Sequence, residues 1–172
     1  MKVSILEPKE YHSYYKTYID KVPEHISLLE GLEKGNLDVI SFFESIPEAK
    51  LNYSYAEGKW TIKEVFQHMV DTERVLYYRC FTIARGDKSA LPGFEQDDYV
   101  SASKANAKSI TDLVTEYLAV RNNTITLIKS LDNSDFTCIG TVSGGAMSAR
   151  ATAFIIVGHE LHHLEVLERL YF

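Results

Sequence analysis

Apolar residues recur at helical spacing in four long stretches of the chain. In 24–46 they are Ile26, Leu29, Leu32, Leu37, Ile40, Phe43 and Ile46, with Gly31 and Gly35 interrupting the stretch. In 61–85 they are Ile62, Val65, Phe66, Met69, Leu76, Cys80 and Ile83, and Thr61 with Glu64 three residues on supplies a capping box. In 109–130 they are Ile110, Leu113, Val114, Tyr117, Leu118, Ile125 and Ile128, and the fourth stretch, 149–171, starts after Ser148. Residues 86–93 and 132–148 read as loops, and Pro47 with residues 52–58 marks a third break. The run 137–142 has some β character but can pair only with itself or a neighbouring loop. Four helices with so little strand signal predict an all-α fold: one four-helix-bundle domain over residues 1–172.

The connection between the second and third helices, 86–108, is long. Extended, it reaches about 70 Å, whereas a 25-residue helix spans about 38 Å. It can cross the whole bundle, which leaves helices two and three free to run the same way; in that case helix four is antiparallel to helix two.

Composition narrows the function classes. The 172 residues are 45% apolar and 24% charged, with 18 Lys and Arg against 24 Asp and Glu, for a net charge of −6. This is ordinary globular composition. The acidic balance and the lack of a Lys/Arg cluster argue against nucleic-acid binding. The start of the chain shows no signal peptide, because Pro8 and charge interrupt it, and the longest apolar run, 151–158, is far too short to cross a membrane. Cys80 and Cys138 have no C-x-x-C partner and are expected as reduced thiols. The expectation is a soluble cytoplasmic protein that acts on a small molecule.

The histidines change this picture. On a helical wheel of the fourth stretch, Arg150, Glu165, Glu168 and Arg169 fall on one side. His159 and His163 lie one turn apart in the middle of the opposite, apolar face. Two stacked imidazoles in a core are hard to satisfy as neutral groups, and a metal ion resolves this by taking a lone pair from each. His162 points toward the charged edge. The residues 159–163 also spell H-E-x-x-H, the zinc-protease helix motif. No downstream ligand motif and no strand-rich lobe accompany it, so the protease reading is set aside. A third ligand must then come from upstream, where His12, His25 and His68 are the candidate histidines. His68 lies on the strongest helix, beside Thr72 and Arg79 at the flank of the stripe. In an antiparallel pair His68 and His163 sit at similar depths, about 10 and 13 Å from one end. His68, His159 and His163 are therefore the expected metal ligands.

The stretch Tyr55-Ala56-Glu57-Gly58-Lys59-Trp60-Thr61-Ile62-Lys63-Glu64-Val65-Phe66-Gln67-His68 resembles the helix-two entry, W-[ST]-x-x-E-x-x-x-H, of the DinB/YfiT-like family of metal-binding four-helix bundles. Tyr18 to Pro23, Asp71 to Arg74, Ile83 to Asp87, Leu91 to Phe94 and the closing Gly158 to His163 resemble further family segments in the family's order. The resemblance implies an up-down-down-up bundle, a divalent metal (often nickel or zinc) on the same three histidines, and a homodimer. Some relatives transfer low-molecular-weight thiols, others isomerise with a thiol cofactor, and many carry only the label of metal-dependent hydrolase. Leu164-Glu165 stands where the family usually has Gly-Gln after the last histidine.

Three His ligands with an open position describe a catalytic rather than a closed structural site. That suits activation of a water for hydrolysis or of a thiol, as a possible co-substrate, for transfer. Glu64, Asp71 and Glu160 are candidates to orient the imidazoles, although ordinary solvated helix carboxylates are the simpler expectation for all three. No tyrosine is assigned a catalytic role. The alternative is a non-catalytic bundle with a structural or incidental metal.

Overall fold

A computed structural model describes all 172 residues. Its four long helices are α2 (Leu28–Glu44), α3 (Ile62–Ala84), α5 (Ile110–Ser130) and α7 (Ala149–Leu170). Each begins where a hydroxyl side chain caps the first turn. The Ser27, Thr61, Ser109 and Ser148 side chains accept from the backbone N–H of Glu30, Glu64, Asp112 and Ala151. These bonds satisfy donors that have no partner within the helix.

Cross-helix contacts fix the directions. The Tyr171 hydroxyl donates to the Trp60 carbonyl, and the Cys80 thiol to the Ala149 carbonyl, so α3 and α7 are antiparallel. Gln67 meets Glu116 and Glu73 meets Arg121, so α3 and α5 run parallel. Gly31 lies against Val157 and Gly35 against Glu160, so α2 and α7 also run parallel. The order is up-down-down-up, as expected.

The long connections are more structured than the sequence suggested. The crossover 86–108 contains strand β1 (Ala90–Leu91) and the short helix α4 (Gln96–Ser103). The predicted loop 132–148 folds into helix α6 (Asn133–Thr137) and strands β2 (Ile139–Val142) and β3 (Gly145–Ser148). These two strands form an antiparallel hairpin, with β1 parallel to β2 on the other edge. The hairpin turns through Ser143 and Gly144, both with positive φ, as a two-residue turn demands. Before α2, three 3-10 turns lead into helix α1 (Lys16–Ile19), which packs on α7.

Gly31 and Gly35, which weaken the helical pattern of this stretch in sequence, do not break α2. They make room. A Cβ at position 35 would lie 2.0 Å from Glu160 Oε1 and 2.6 Å from Arg121 Nη1. The glycine's cost in helix propensity is exchanged for close approach to a buried polar group.

That polar group divides the core. One apolar cluster contains Leu32, Leu76, Ile125 and Ile156, and a second contains Val39, Met69, Tyr117 and Leu167. Between them on successive helices lie Gly35, Glu73, Arg121, and His159 with Glu160. The candidate site occupies this layer.

Candidate metal centre

His68 comes from the second turn of α3, and His159 and His163 from one face of α7. The antiparallel packing of these two helices brings the three imidazoles together. His159 Nε2 is 3.0 Å from His68 Nε2 and 3.1 Å from His163 Nε2. One ligand atom from each of the three lies within 4.8 Å of the others. His68 is 3% exposed and His159 6%, while His163 is half-buried and reaches a cleft.

Burial drives all three toward the neutral form. It lowers His68 to about 4 and His163 to about 2, with like-charge repulsion from neighbouring imidazoles adding to the shift, and it holds His159 well below the ordinary value. A neutral ring nitrogen is either a donor or an acceptor. His159 Nε2 faces two other Nε2 atoms and cannot satisfy both. The tautomer that leaves His68 Nε2 unprotonated puts the proton on Nδ1, which then reaches the Thr72 hydroxyl at 3.4 Å. His163 Nδ1 is buried without a partner. Three converging neutral lone pairs fit a single divalent cation. Nitrogens bound at about 2.0–2.1 Å to one tetrahedral ion would stand about 3.3–3.4 Å apart, close to the two separations from His159.

Aromatic rings hold the imidazoles in place. Trp60 packs on His68 at 4.7 Å between ring centroids, and Tyr18 sits edge-on to His159 at 5.2 Å. A cleft of about 290 Å³ opens at His163, walled by Tyr55, Trp60, Val166 and Tyr171, with Lys59 and Asp97 at its rim.

The other candidates are elsewhere. His12 caps a 3-10 turn by accepting from the Tyr14 N–H, and His25 is exposed. His162 is half-buried against Tyr18, outside the trio. Glu64 serves the helix cap and accepts from Asn106, and Asp71 pairs with Arg74. Glu160 departs from the solvated carboxylate expected: it is 4% exposed. It accepts from the Tyr117 hydroxyl at 2.7 Å and from Arg121 Nη2 at 2.6 Å. Arg121 also binds Glu73 and the Leu32 carbonyl. Burial pushes the Glu160 carboxyl up against the opposing pull of Arg121. Turned into this network, Glu160 is not placed as the general base of an H-E-x-x-H protease.

Sequence reasoning missed Glu73, Tyr117 and Arg121. The available signal was positional: Arg121 lies one turn after Tyr117 and one turn before Ile125, on an apolar stripe.

Fold and site together define an up-down-down-up helical bundle with a three-histidine cluster in its core. The chain belongs to the DinB superfamily, whose profile matches residues 32–167. It is 27% identical over 120 residues to a protein of Geobacillus thermodenitrificans named "Putative metal-dependent hydrolase", an alignment covering 67% of this chain and 66% of that protein. It is 20% identical over 164 residues to a protein of Oceanobacillus iheyensis with the same description, covering 95% and 84% of the two chains. Among solved structures it superposes on YfiT from Bacillus subtilis with a TM-score of 0.72 at 16% identity, over 95% of this chain and 93% of that one. YfiT is described as a probable metal-dependent hydrolase with an unusual four-helix bundle topology. A mycothiol-dependent maleylpyruvate isomerase matches with a TM-score of 0.64 at 11% identity, over 81% and 60% of the two chains. No helix of the chain is long and apolar enough to cross a membrane.

Proposed function

We propose that His68, His159 and His163 hold one divalent ion, zinc or nickel, and that the protein is a metal-dependent hydrolase. The observation that carries this is the meeting of three neutral Nε2 atoms that cannot satisfy one another. An all-imidazole set suits zinc or nickel better than magnesium or calcium. Bound there, the ion supplies Lewis acidity that activates a water or thiol and polarises a carbonyl. The chain contributes three ligands and no fourth, because Glu160 is committed to Arg121 and Tyr117. Tyr18 and Trp60 shield the buried ligands, while His163 faces the cleft through which a small substrate arrives.

A second reading keeps the same centre and replaces hydrolysis by transfer from a low-molecular-weight thiol. The fold shared with a mycothiol-dependent isomerase favours it. Homodimerisation and a cytoplasmic setting belong to the same proposal.

The test is metal analysis of protein purified without an affinity tag, followed by assays with esters, amides, and thiol-electrophile pairs. About one equivalent of metal is expected, lost in His159→Ala and weakened in His68→Ala. Equal metal content in parent and His68→Ala removes His68 from the ligand set. Metal-loaded protein that turns over no substrate of either kind, while chelation lowers its melting temperature, overturns the enzyme reading in favour of a structural metal.

A further inference from the structure

Two guanidinium groups lie deep in the protein, and their surroundings differ. Arg121 is 1% exposed and neutralised by Glu73 and Glu160. Arg79, on α3 about 16 Å along the helix from His68, is 3% exposed and forms no ion pair. Its only acceptors are the Pro92 carbonyl, at 2.9 Å from Nη2, and the Tyr15 hydroxyl, at 3.4 Å from Nη1. A guanidinium has five N–H donors, so most of Arg79's are left without an acceptor from the chain. A buried charge without a counter-ion is expensive, and proteins retain few of them.

Arg79 lines a pocket of about 310 Å³ between α3 and the crossover segment. The walls are Leu91, Pro92, Phe94, Tyr78 and Tyr99. Arg79 lies over the Phe94 ring at 5.6 Å, and Phe94 packs on Tyr99 at 5.2 Å between centroids. Tyr78 and Tyr99 are 54% and 45% exposed, so the aromatic side of the pocket is open to solvent. Arg74 at the rim is already paired with Asp71 and Glu116. This unneutralised buried guanidinium is thus set in an aromatic-walled pocket, where a ligand can supply the missing charge.

We infer that this pocket is a binding site for a small organic anion: a carboxylate or phosphate that pairs with Arg79, carried on an aromatic or apolar body that packs against Phe94 and Tyr99. The planar guanidinium fork suits either headgroup. The site is separate from the three-histidine centre and does not depend on metal there.

The probes are phenyl phosphate and benzoate, titrated calorimetrically into the full chain, with benzamide as the neutral isostere and inorganic phosphate as the headgroup alone. Saturable one-site binding of at least one aromatic anion is expected, and the preferred probe identifies the headgroup. Arg79→Gln should weaken it roughly 10- to 100-fold, the cost of one charge-assisted contact. Tyr99→Ala, a change at an exposed side chain, should weaken it about 3- to 10-fold with an unchanged melting temperature. It carries the test if Arg79→Gln does not fold. His159→Ala should bind as the parent does. The inference is overturned if neither aromatic anion saturates the parent, if affinity is the same in Arg79→Gln or Tyr99→Ala, or if benzamide binds as well. It is also overturned if inorganic phosphate matches phenyl phosphate, or if His159→Ala abolishes binding, which would put the anion on the histidine centre.

Discussion

Replacing Gly158 by alanine separates two physical arguments by sign. Gly158 lies inside α7, where alanine gains about 1 kcal/mol of helix propensity over glycine. On that ground alone Gly158→Ala stabilises. The packing says otherwise. A Cβ at position 158 would lie 2.0 Å from the Tyr18 carbonyl oxygen and 2.5 Å from its carbon. These are backbone atoms of α1, so no side chain can swing aside, and the segment must retreat by more than an ångström. It is pinned by Ile19 and Val22, both in the core. Overpacking of this kind costs about 1–3 kcal/mol, and a backbone clash belongs at the upper end. The net expectation is a loss of about 2 kcal/mol, or roughly 4–8 °C in melting temperature for a chain of this length. Gly31→Ala is the control: its Cβ would meet only side-chain tips, Val157 Cγ1 at 3.1 Å and Ile26 Cδ1 at 3.4 Å. Urea and thermal unfolding of both variants, with limited proteolysis across α1, provide the assay. If Gly158→Ala melts at or above the parent, or if both substitutions shift stability equally, the steric argument is wrong.

Three further expectations follow from the same structure. Arg121→Leu leaves Glu73 and Glu160 buried without their cation and should cost about 3–5 kcal/mol in urea unfolding; a loss under about 1 kcal/mol refutes the network's role. Burial opposes ionisation of Glu10, but hydrogen bonds from Arg150, the Glu7 backbone and Ser148 outweigh it and hold its carboxyl below the usual range. Its stabilisation is therefore complete above about pH 4.3 and disappears as pH falls through the lowered folded value. Glu10→Gln should flatten the acid limb of the stability profile, and an unchanged limb contradicts this. Chelation should lower the melting temperature of metal-loaded parent protein and leave His159→Ala unaffected; an equal response in both points to metal held elsewhere.

Much of this architecture is legible along the chain because it depends on local chemistry. Thr61, Ser109 and Ser148 stand directly before helices that begin at Ile62, Ile110 and Ala149. The periodicity that marks α7 as amphipathic also shows His159 and His163 sharing its inner face. The polar layer was harder to see, since Arg121 becomes a core residue only through partners 48 and 39 positions away in sequence. Gly35 illustrates the same limit. In isolation it reads as a weak point in a helix, and only the nearness of Glu160 and Arg121 gives it a purpose. Helix α4 and strands β1 and β3 escape a reading of the sequence, and β2 shows only as the β character of 137–142, because their apolar patterns are brief and their stability comes from packing on α3 and on one another.

The layer of Glu73, Arg121, His159 and Glu160 also sets how the protein can change over time. It works as a bulkhead between two oily compartments. Within either compartment a lost methyl group can be repaid by a larger neighbour, because those side chains touch. Across the bulkhead no such trade is open. Substitutions should thus drift in two independent sets, one around Phe154 and one around Phe66, while the wall between them stays fixed.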